Sequence, residues 1–403
     1  MAMLAVADAL AKVLDGAQPL PSENVDLVDA HHRVLAADLT AQRTQPPADV
    51  SAMDGYAARA ADLANAPARL KVVGEVAAGR PFDRAIGAGE AARIFTGGVM
   101  PTGADTVVIQ ELTSREGDVV VVQKAGAKGK NVRVGGLDFR AGEVLLAKGH
   151  RLTARDLALV AAMNYPQVPV HRRPRVAVLA TGDELVLPGA TPGPGQIVYS
   201  NGFSLMALAD GEGAQVADLG VVPDKLDATI EAVRRAHALP ADVLVTTGGA
   251  SVGDYDLVQP AFAAAGMSLS FWKVALRPGR PLMNGRLGAM HVLGLPGNPV
   301  SAYVCAVLFL IPLLRRLSGR QDLSAATESA ILGCDLPAND ERADYMRARL
   351  AAGAGGALTA TPFPIQDSSM MAPLAKSDCL IIREPYAPAA AAGAACRIVR
   401  LEP

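Results

Sequence analysis

Residues 175–317 alternate short apolar runs with longer segments of helical character, and this alternation restricts the fold more than any other feature of the chain. The runs that we expect to be strands are residues 176–180, 216–221, 243–246 and 290–293. The segments that we expect to be helices are residues 203–209, 226–238 and 300–317. Strands that alternate with helices predict a parallel sheet with helical crossovers. In such a sheet, ligands bind beyond the carboxyl ends of the strands.

Glycine-containing motifs follow three of the expected strands directly. They are TGDEL from Thr181, TTGGASVGDYD from Thr246 and GLPGNPVSA from Gly294. In the second motif, Gly248 and Gly249 let the backbone approach a ligand, and the amides of this loop, which continues through Ser251, can form an anion-binding concavity. A glycine pair alone is more often a tight turn, but three such motifs at one sheet edge indicate a small-molecule site.

The third motif places a turn in front of an apolar helix, and the turn consists of Pro296, Gly297, Asn298 and Pro299. Pro299 would lie in the first helical turn, where a missing N–H costs nothing, so that free amides and the helix dipole face outward. Such a helix end suits a phosphate. An ordinary helix start is the alternative, and the neighbouring motifs favour the ligand site.

Three cations lie in or just before the sequence RPGRP. Lys273 precedes it, and Arg277 and Arg280 are part of it. Two arginines three residues apart on a Pro-Gly turn suit a tetrahedral oxyanion such as molybdate or phosphate, because guanidinium groups present a rigid fork of donors. Solvated surface arginines are the alternative interpretation.

Composition bounds the class of protein. A chain of 403 residues is long enough for several domains, and its formal charge of −2, without a basic stripe, argues against a nucleic-acid surface. The longest apolar run, residues 302–314, is shorter than the ~18 residues that a membrane span needs and contains Pro312, so a buried helix is expected. Four scattered cysteines and an N-terminal amphipathic segment without a basic start favour a reducing cytoplasm over secretion.

The pattern outside residues 171–320 predicts further domains. Residues 46–139 contain short valine-rich strands broken by glycine and predict an all-β insertion. Residues 1–45 and 140–170 are expected to form one discontinuous helical linker domain around it. Residues 321–403 predict a small C-terminal β domain, barrel-like in form. The expected fold class is therefore a multidomain α/β protein.

The motifs SAMDGYA from Ser51, IFTGGVMPTGAD from Ile94, TGDEL, GGASVGDYD from Gly248 and GLPGNPVSA occur in one order along the chain. In this the chain resembles the molybdopterin molybdenumtransferases, a family that includes the E domain of gephyrin, over essentially its whole length. The resemblance implies a central molybdopterin-binding α/β domain and the insertion of molybdate into the dithiolene of adenylylated molybdopterin. It further implies Mg²⁺, release of AMP and formation of molybdenum cofactor.

The resemblance also implies roles for individual residues. Asp54 and Glu184 are implied as catalytic and Mg²⁺-binding groups, with Thr96, Asp138 and Lys273 in the same cleft. An N-cap or turn role is the alternative for Thr96 and Asp138, and Leu137 stands where the family more often has an acidic residue.

Two further carboxylates, Asp224 and Asp256, are assigned to the adenylylated molybdopterin together with the glycine loops. Each can pair with the donors of a pterin edge or ligate the metal, and the residues leave both open. For Ser200 and Asn201, which precede a helix, an N-cap is the favoured role.

Molybdate binding is implied for Arg277 and Arg280, where relatives commonly have lysines, and for Arg347 and Ser368. Asp367 and Ser369 replace the glycines that usually flank this serine. The resemblance implies a homodimer, in which the SAMDGYA loop reaches the α/β domain of the other subunit. A molybdopterin adenylyltransferase and acceptor molybdoenzymes are candidate partners, whereas nucleic acid and membrane are not expected.

Two rival functions are weighed against this one. The adenylyltransferase of the preceding step shares the α/β domain, but it has TGGTG in the glycine loop and is much shorter, whereas Ala250 and Ser251 follow the glycines here. A scaffold that only binds a partner peptide is the second rival. The acidic groups Asp54 and Glu184, with Thr96, favour an enzyme.

Overall fold

A computed structural model describes residues 3–124, 126–248, 258–353 and 356–401, and these form four units. The first stretch of chain contains α1 (Val6–Leu14), β1 (Ser22–Asp26) and β2 (Leu39–Thr40). Helix α1 begins and ends at the residues that its amphipathic pattern suggests. It was expected in the linker domain, but Ala9 and Val13 are buried in the same core as the α/β unit, so this expectation was wrong.

The insertion unit that follows is all-β, as expected. Its strands are β3 (Val50–Ser51), β4 (Gly55–Ala58), β5 (Ala68–Val76), β6 (Glu90–Ile94), β7 (Thr106–Ile109), β8 (Thr113–Glu116), β9 (Val119–Val122) and β10 (Val132–Arg133). Six of them form one sheet in the order β7-β4-β6-β5-β9-β8. All four residues of the central strand β4 are buried, so that the residues just before it are held in place.

The chain then returns to the linker unit through β11 (Val144–Leu146), α2 (Ala154–Ala162) and β12 (Gln167–His171). Strand β12 pairs antiparallel with β1, and β11 pairs with β2, so the two separated stretches form one body. A capping box, in which Thr153 and Asp156 bond to each other's backbone amides, fixes the start of α2.

The α/β unit follows the linker. Its strands are β13 (Arg175–Thr181), β14 (Leu185–Val186), β15 (Ile197–Val198), β16 (Gln215–Val222), β17 (Val243–Thr247), β18 (Ser268–Lys273), β19 (Leu276–Arg277), β20 (Pro281–Leu287) and β21 (Met290–Leu295). Its helices are α3 (Asn201–Gly211), α4 (Leu226–Ala238), α5 (Val258–Ala264), α6 (Pro299–Cys305) and α7 (Ile311–Leu317).

The main sheet of this unit has the order β16-β13-β17-β21-β20-β18. The first four strands are parallel, as predicted, whereas β20 and β18 add an antiparallel edge that was not predicted. Strand β17 is entirely buried because it lies at the centre between two covered faces. The carboxyl ends of β13, β16, β17 and β21 therefore lie at one edge of the sheet.

Residues 299–317 form one continuous apolar helix, in which a π-helical turn, Ala306–Leu310, joins α6 to α7. By length and composition it is the one helix of the described residues that could cross a membrane, but 78% of its most apolar window is buried within the protein. Phe309, Leu310 and Leu313 are fully buried. This helix therefore has the burial of a core helix, as the sequence predicts.

The C-terminal unit contains β22 (Thr327–Leu332), β23 (Ala343–Ala352), β24 (Leu358–Pro362), α8 (Met371–Ala375), β25 (Cys379–Arg383) and β26 (Ala395–Arg400). The strands run in the order β23-β24-β22-β26-β25, and β25 pairs again with β23, which closes a barrel. Strand β19 of the preceding unit adds to β23, with Leu276 opposite Ala343 and Arg277 opposite Asp344. The barrel is thereby joined to the chain that carries RPGRP.

Candidate functional site

The loops that follow β13, β17 and β21 meet at the carboxyl edge of the sheet. Gly248 has a φ of +87°, and a Cβ there would lie 2.3 Å from the carbonyl oxygen of Thr181, so only glycine fits. A Cβ on Gly297 would lie 3.8 Å from the Cα of Gly248. Two of the three motifs selected from the sequence are therefore in contact, beside the end of the third.

The start of α3 holds this edge together. The amide of Asn201, a buried side chain, donates to the carbonyl of Gly297 over 2.7 Å. Ser200 is the N-cap residue, but its side chain makes no capping hydrogen bond. The N-cap role favoured for these two residues was therefore wrong in its chemistry: Asn201 positions the turn after β21 instead.

Ser368 lies against the same turn. Its hydroxyl accepts a hydrogen bond from the Asn298 amide over 2.8 Å, and its carbonyl accepts one from the backbone N–H of Val300 over 3.0 Å. The C-terminal unit thus supplies a residue to the edge of the α/β sheet. The backbone N–H of Val300, one of the amides expected to be free at this helix end, is therefore used within the protein. Gly297 and Asn298, which lie between Pro296 and Pro299, are exposed.

Three carboxylates lie at the ends of β13 and β16. The backbone N–H of Asp224 donates to Asp183 over 3.2 Å, and a Cβ on Gly182 would lie 2.5 Å from the Glu184 carboxylate, so that side chain folds over the glycine. Burial and the negative charges of Glu184 and Asp183 raise the pKa of Asp224. Like charges held together in this way indicate a site whose cation or donor comes from a ligand.

The donor set fits Mg²⁺ that is shared with a phosphate. Hard carboxylate oxygens are the ligands that this ion prefers, and it commonly keeps waters and substrate oxygens as its other ligands. Within the described residues, no three histidine, cysteine, aspartate or glutamate side chains form a complete metal site by themselves. Glu184 and Asp224 would therefore hold such an ion jointly with a bound substrate.

Asp54 lies in the insertion unit, directly before β4. Its Oδ1 accepts hydrogen bonds from the backbone N–H and the hydroxyl of Thr96, both over 2.8 Å. These bonds, with the positive charge of Arg93, lower the pKa of Asp54, so the carboxylate stays ionised. Asp54 and Thr96 are therefore in direct contact, and their place in one cleft with Glu184 stays a prediction. In the described part of one chain, the hydrogen-bond partners of Asp54 are Thr96 and Gln110, and both lie in its own unit.

Asp138 lies in an exposed turn where the insertion unit rejoins the linker. Its backbone N–H donates to the carbonyl of Gln45 over 3.0 Å. The neighbouring Gly135 is fixed separately by a 2.8 Å hydrogen bond to the Asp49 carboxylate. A turn role, one of the alternatives considered for Asp138, is what the contacts describe, and its place in a cleft stays a prediction.

The two arginines of RPGRP have different environments. Arg277 donates to Asp340 over 3.0 Å, to Asn339 over 2.9 Å and to Asp344 over 2.6 Å, all in the C-terminal unit. These carboxylates raise the pKa of its guanidinium. Its role here is to hold the barrel, and its predicted contact with molybdate stays a prediction.

Arg280 is exposed and Lys273 is half-buried at the end of β18. Within the described residues, neither side chain forms an ion pair or hydrogen bond. Gly279 between the arginines has a φ of +120°, and a Cβ there would lie 2.5 Å from the Cys305 sulfur, so the turn packs tightly on α6. Arg280 and Lys273 are thus the two cations of this segment that are open to an anion.

Arg347 is almost completely buried, with 1% of its surface exposed. Its guanidinium donates to the carbonyls of Met370 over 2.8 Å, Asp367 over 2.9 Å and Ile365 over 3.3 Å. It therefore holds the loop that presents Ser368. Its direct contact with molybdate stays a prediction.

Three predicted site residues, Gly249, Ser251 and Asp256, lie outside the described residues. Conversely, Asp183 and Thr181 lie at this edge but are not among the predicted site residues. The Thr181 hydroxyl is buried without a hydrogen-bond partner at the meeting point of the loops. Two successive carboxylates at a strand end were the available signal for Asp183, whereas Thr181 opens the TGDEL motif but its side chain was given no role.

Comparison with known proteins assigns the family. A model of the MoeA N-terminal region (domain I and II) matches residues 4–164, a probable molybdopterin binding domain matches residues 177–316, and the MoeA C-terminal region (domain IV) matches residues 329–401. A molybdopterin molybdenumtransferase from Nostoc sp. is 42% identical over 74% of this chain and 70% of its own length. The one from Haemophilus influenzae is 34% identical over 95% of each chain.

The fold agrees with this comparison. The crystal structure of a molybdopterin biosynthesis MoeA protein from Pyrococcus horikosii covers all of both chains with a TM-score of 0.85 at 28% identity. The four-unit architecture predicted from the sequence is thereby confirmed. By its sequence over nearly its whole length, the chain belongs to the molybdopterin molybdenumtransferase family, a family of transferase enzymes.

Proposed function

We propose that this protein inserts molybdate into the dithiolene of adenylylated molybdopterin and releases AMP, with Mg²⁺ as its cofactor, to give molybdenum cofactor. The relatives named above support a role of the chain in molybdenum cofactor biosynthesis. The observation that carries the proposal is the contact between the Gly248 and Gly297 loops beside three carboxylates at one sheet edge.

The nucleotide part of the substrate would lie on the glycine loops. Gly297 leaves its backbone exposed at this edge, Gly248 packs beside it against the Thr181 carbonyl, and the helix that starts at Pro299 directs its positive end to the same place. The hydrogen bond from Asn201 holds the Gly297 turn open in this geometry. The chain thereby binds and orients a dianionic group without a covalent nucleophile.

The carboxylates would serve the phosphoanhydride that breaks. Mg²⁺ bound there would offset the charge that develops on the phosphate oxygens as AMP leaves. Glu184 and Asp224 supply oxygens for it, and Asp183 holds the backbone of Asp224 in position. Their mutual repulsion in the absence of substrate favours binding of the cation together with the nucleotide.

Molybdate would meet the open cations. Arg280 and Lys273 have no protein partner among the described residues, so their charge is available to a tetrahedral dianion. Ser368 reaches the same edge through Asn298. The expected work of the protein is to hold two anionic reactants together while these groups offset their repulsion.

Asp54 and Thr96 would come from a second copy of the chain. They form one preorganised acceptor in the insertion unit, and within the described residues of one chain the hydrogen-bond partners of Asp54 all lie in that unit. In a twofold dimer, the loop of each subunit can complete the site of the other. We therefore propose a homodimer with two shared sites.

The direct test measures AMP release and cofactor formation from adenylylated molybdopterin, molybdate and Mg²⁺. Wild type is expected to turn over, and Glu184→Gln is expected to lose the reaction while keeping its melting temperature. Glu231→Gln on α4, an exposed carboxylate with a weak ion pair to Arg234, is the matched control and should stay active. If Glu184→Gln turns over like wild type, the assigned site is wrong.

A mixing experiment tests the shared site. Asp54→Asn and Glu184→Gln are each expected to be inactive, but a mixed dimer would contain one intact site. After subunit exchange, activity should return to roughly a quarter of the wild-type value for random pairing in a symmetric dimer. No recovery in a verified mixed dimer would place both carboxylates in one subunit.

The rival functions give other results in the same assay. Nucleotide binding without turnover would indicate a scaffold, and AMP transfer from ATP to molybdopterin would indicate the adenylyltransferase. Either outcome would overturn the proposed reaction.

A further inference from the structure

A polar cavity lies between the α/β unit and the linker unit, at the edge of the sheet opposite to the candidate active site. Its volume is about 600 Å³, and its basic lining consists of His31, His32, Arg33, Arg172, Arg173 and Arg175. Arg175 is the first residue of β13, whose carboxyl end at Thr181 borders the candidate active site. At about 3.3 Å per strand residue the two sites are about 20 Å apart, so this cavity is a separate feature.

Internal acids neutralise only part of this charge. Arg33, which is buried, pairs with Glu23 and donates to the His171 carbonyl. Arg172 forms a two-pronged ion pair with Asp242 at 2.8 and 2.9 Å. Asp29 is the remaining acid in the lining.

Arg173 and Arg175 are the two arginines of this lining whose guanidinium groups have no ion-pair or hydrogen-bond partner among the described residues. Both are half-buried. Two forked donors two residues apart on one wall of a cavity can each bind an oxyanion through two hydrogen bonds.

The two histidines add to the positive character of the cavity. Their rings lie 3.7 Å apart, and His32 has a φ of +62°, a conformation that non-glycine residues rarely adopt. A 2.9 Å hydrogen bond from its backbone N–H to the Leu152 carbonyl holds it there. Burial, Arg151, His31 and Arg173 together lower the pKa of His32. A bound anion would offset the effect of Arg151, His31 and Arg173 on the pKa of His32.

We propose that this cavity binds a diphosphate-type oxyanion. The volume lies in the range of small-molecule pockets and far exceeds that needed for a single phosphate. Two free guanidinium groups provide one forked donor for each phosphate group of a diphosphate, and the adjacent histidine rings supply further N–H donors. The site is independent of the reaction proposed for the carboxyl edge.

The test titrates pyrophosphate into the full-length protein by calorimetry at constant ionic strength, with chloride as the reference anion. The double variant Arg173→Gln/Arg175→Gln should weaken binding about tenfold or more, because it removes two charged donors. Arg234→Gln, an exposed arginine on α4, is the control and should bind like wild type. A component of the binding that is lost in Arg280→Gln and kept in the double variant belongs to the carboxyl edge, which separates that site from the cavity.

A second measurement locates the anion. In proton NMR, pyrophosphate should raise the pKa of His32 in wild type and leave it unchanged in the double variant. An unaltered His32 titration in wild type, or full pyrophosphate affinity in the double variant, would overturn the proposal. The proposal would also be overturned if the double variant changed the oligomeric state in sedimentation while its pyrophosphate affinity stayed at the wild-type value. Melting temperatures should agree between all variants, because the two arginines have no partners to lose.

Discussion

The carboxyl edge of the α/β sheet and its contact with the C-terminal barrel both concentrate charge, but they treat it differently. At the carboxyl edge, the charges of Asp183 and Glu184 act against ionisation of Asp224, and the side chains of Arg280 and Lys273, which lie at or after the end of strand β18, have no partner among the described residues. At the contact, Arg277 is bonded to two carboxylates and an amide. Charged groups that are paired within the protein stabilise its structure, whereas charged groups without a partner are available to a ligand.

The presence or absence of protein partners also distinguishes residues of the same type. Arg277 and Arg280 are three positions apart in one turn, yet only the first is bound by the protein. Arg347 resembles Arg277 in this respect, because its buried guanidinium is occupied by three carbonyl oxygens. A substitution should therefore affect stability in one group of residues and catalysis in the other.

The largest effect on stability is expected for Arg347→Met. It would leave the carbonyls of Ile365, Asp367 and Met370 without their donor, and the loss of such buried hydrogen bonds should cost about 3 kcal/mol of unfolding free energy. Urea unfolding followed by circular dichroism measures this cost. Arg349→Met, an exposed neighbour that stacks on Phe363, is the control and should change little. Equal stability of both variants would contradict the structural role.

A smaller effect separates the two arginines of RPGRP. Arg277→Lys keeps the positive charge but loses the forked contacts with Asp340 and Asp344, and should destabilise by about 1 kcal/mol. Arg280→Gln should keep the melting temperature and raise the KM for molybdate about tenfold. The reverse pattern, with stability lost at Arg280 and KM changed at Arg277, would invert the assignment of the two arginines.

The smallest effect concerns the repelling carboxylates. Because the pKa of Asp224 is raised in the folded protein, its ionised form costs stability, and the cost is present above the folded pKa and disappears as the pH falls through it. Asp224→Asn should therefore stabilise the protein at pH 7, by well under 1 kcal/mol because the group is partly solvated. The gain should vanish near pH 4, as thermal melts at both pH values would show. A loss of stability at pH 7 would mean that Asp224 is held by favourable contacts.

Regular, strongly patterned segments could be predicted from the sequence. Helix α4 has the predicted bounds because its apolar residues recur at helical spacing, and β17 was recognised because a central parallel strand is apolar throughout. The antiparallel edge strands were missed. Strand β20 contains Asn284, Gly285 and Arg286, so it lacks the continuous apolar run by which its neighbours were recognised.

The candidate site was predictable as a set of loops but not as a set of contacts. Glycine motifs at strand ends identified Gly248 and Gly297 because backbone geometry is local. The partners of Arg277 and Arg347 are distant in sequence, so their burial and bonding depend on how the barrel packs. For the same reason, the placement of α1 against the α/β core was not visible in its own amphipathic pattern.

The joining of β19 to the barrel has a consequence for the order of folding during synthesis. Leu276 and Arg277 leave the ribosome well before β23, the strand with which they pair. Until Ala343 and Asp344 emerge, the strand has no neighbour, and the acids that hold Arg277 are absent. We therefore expect the RPGRP turn to take its final conformation only after the last unit has folded, so that a nascent or truncated chain cannot assemble the proposed molybdate site prematurely.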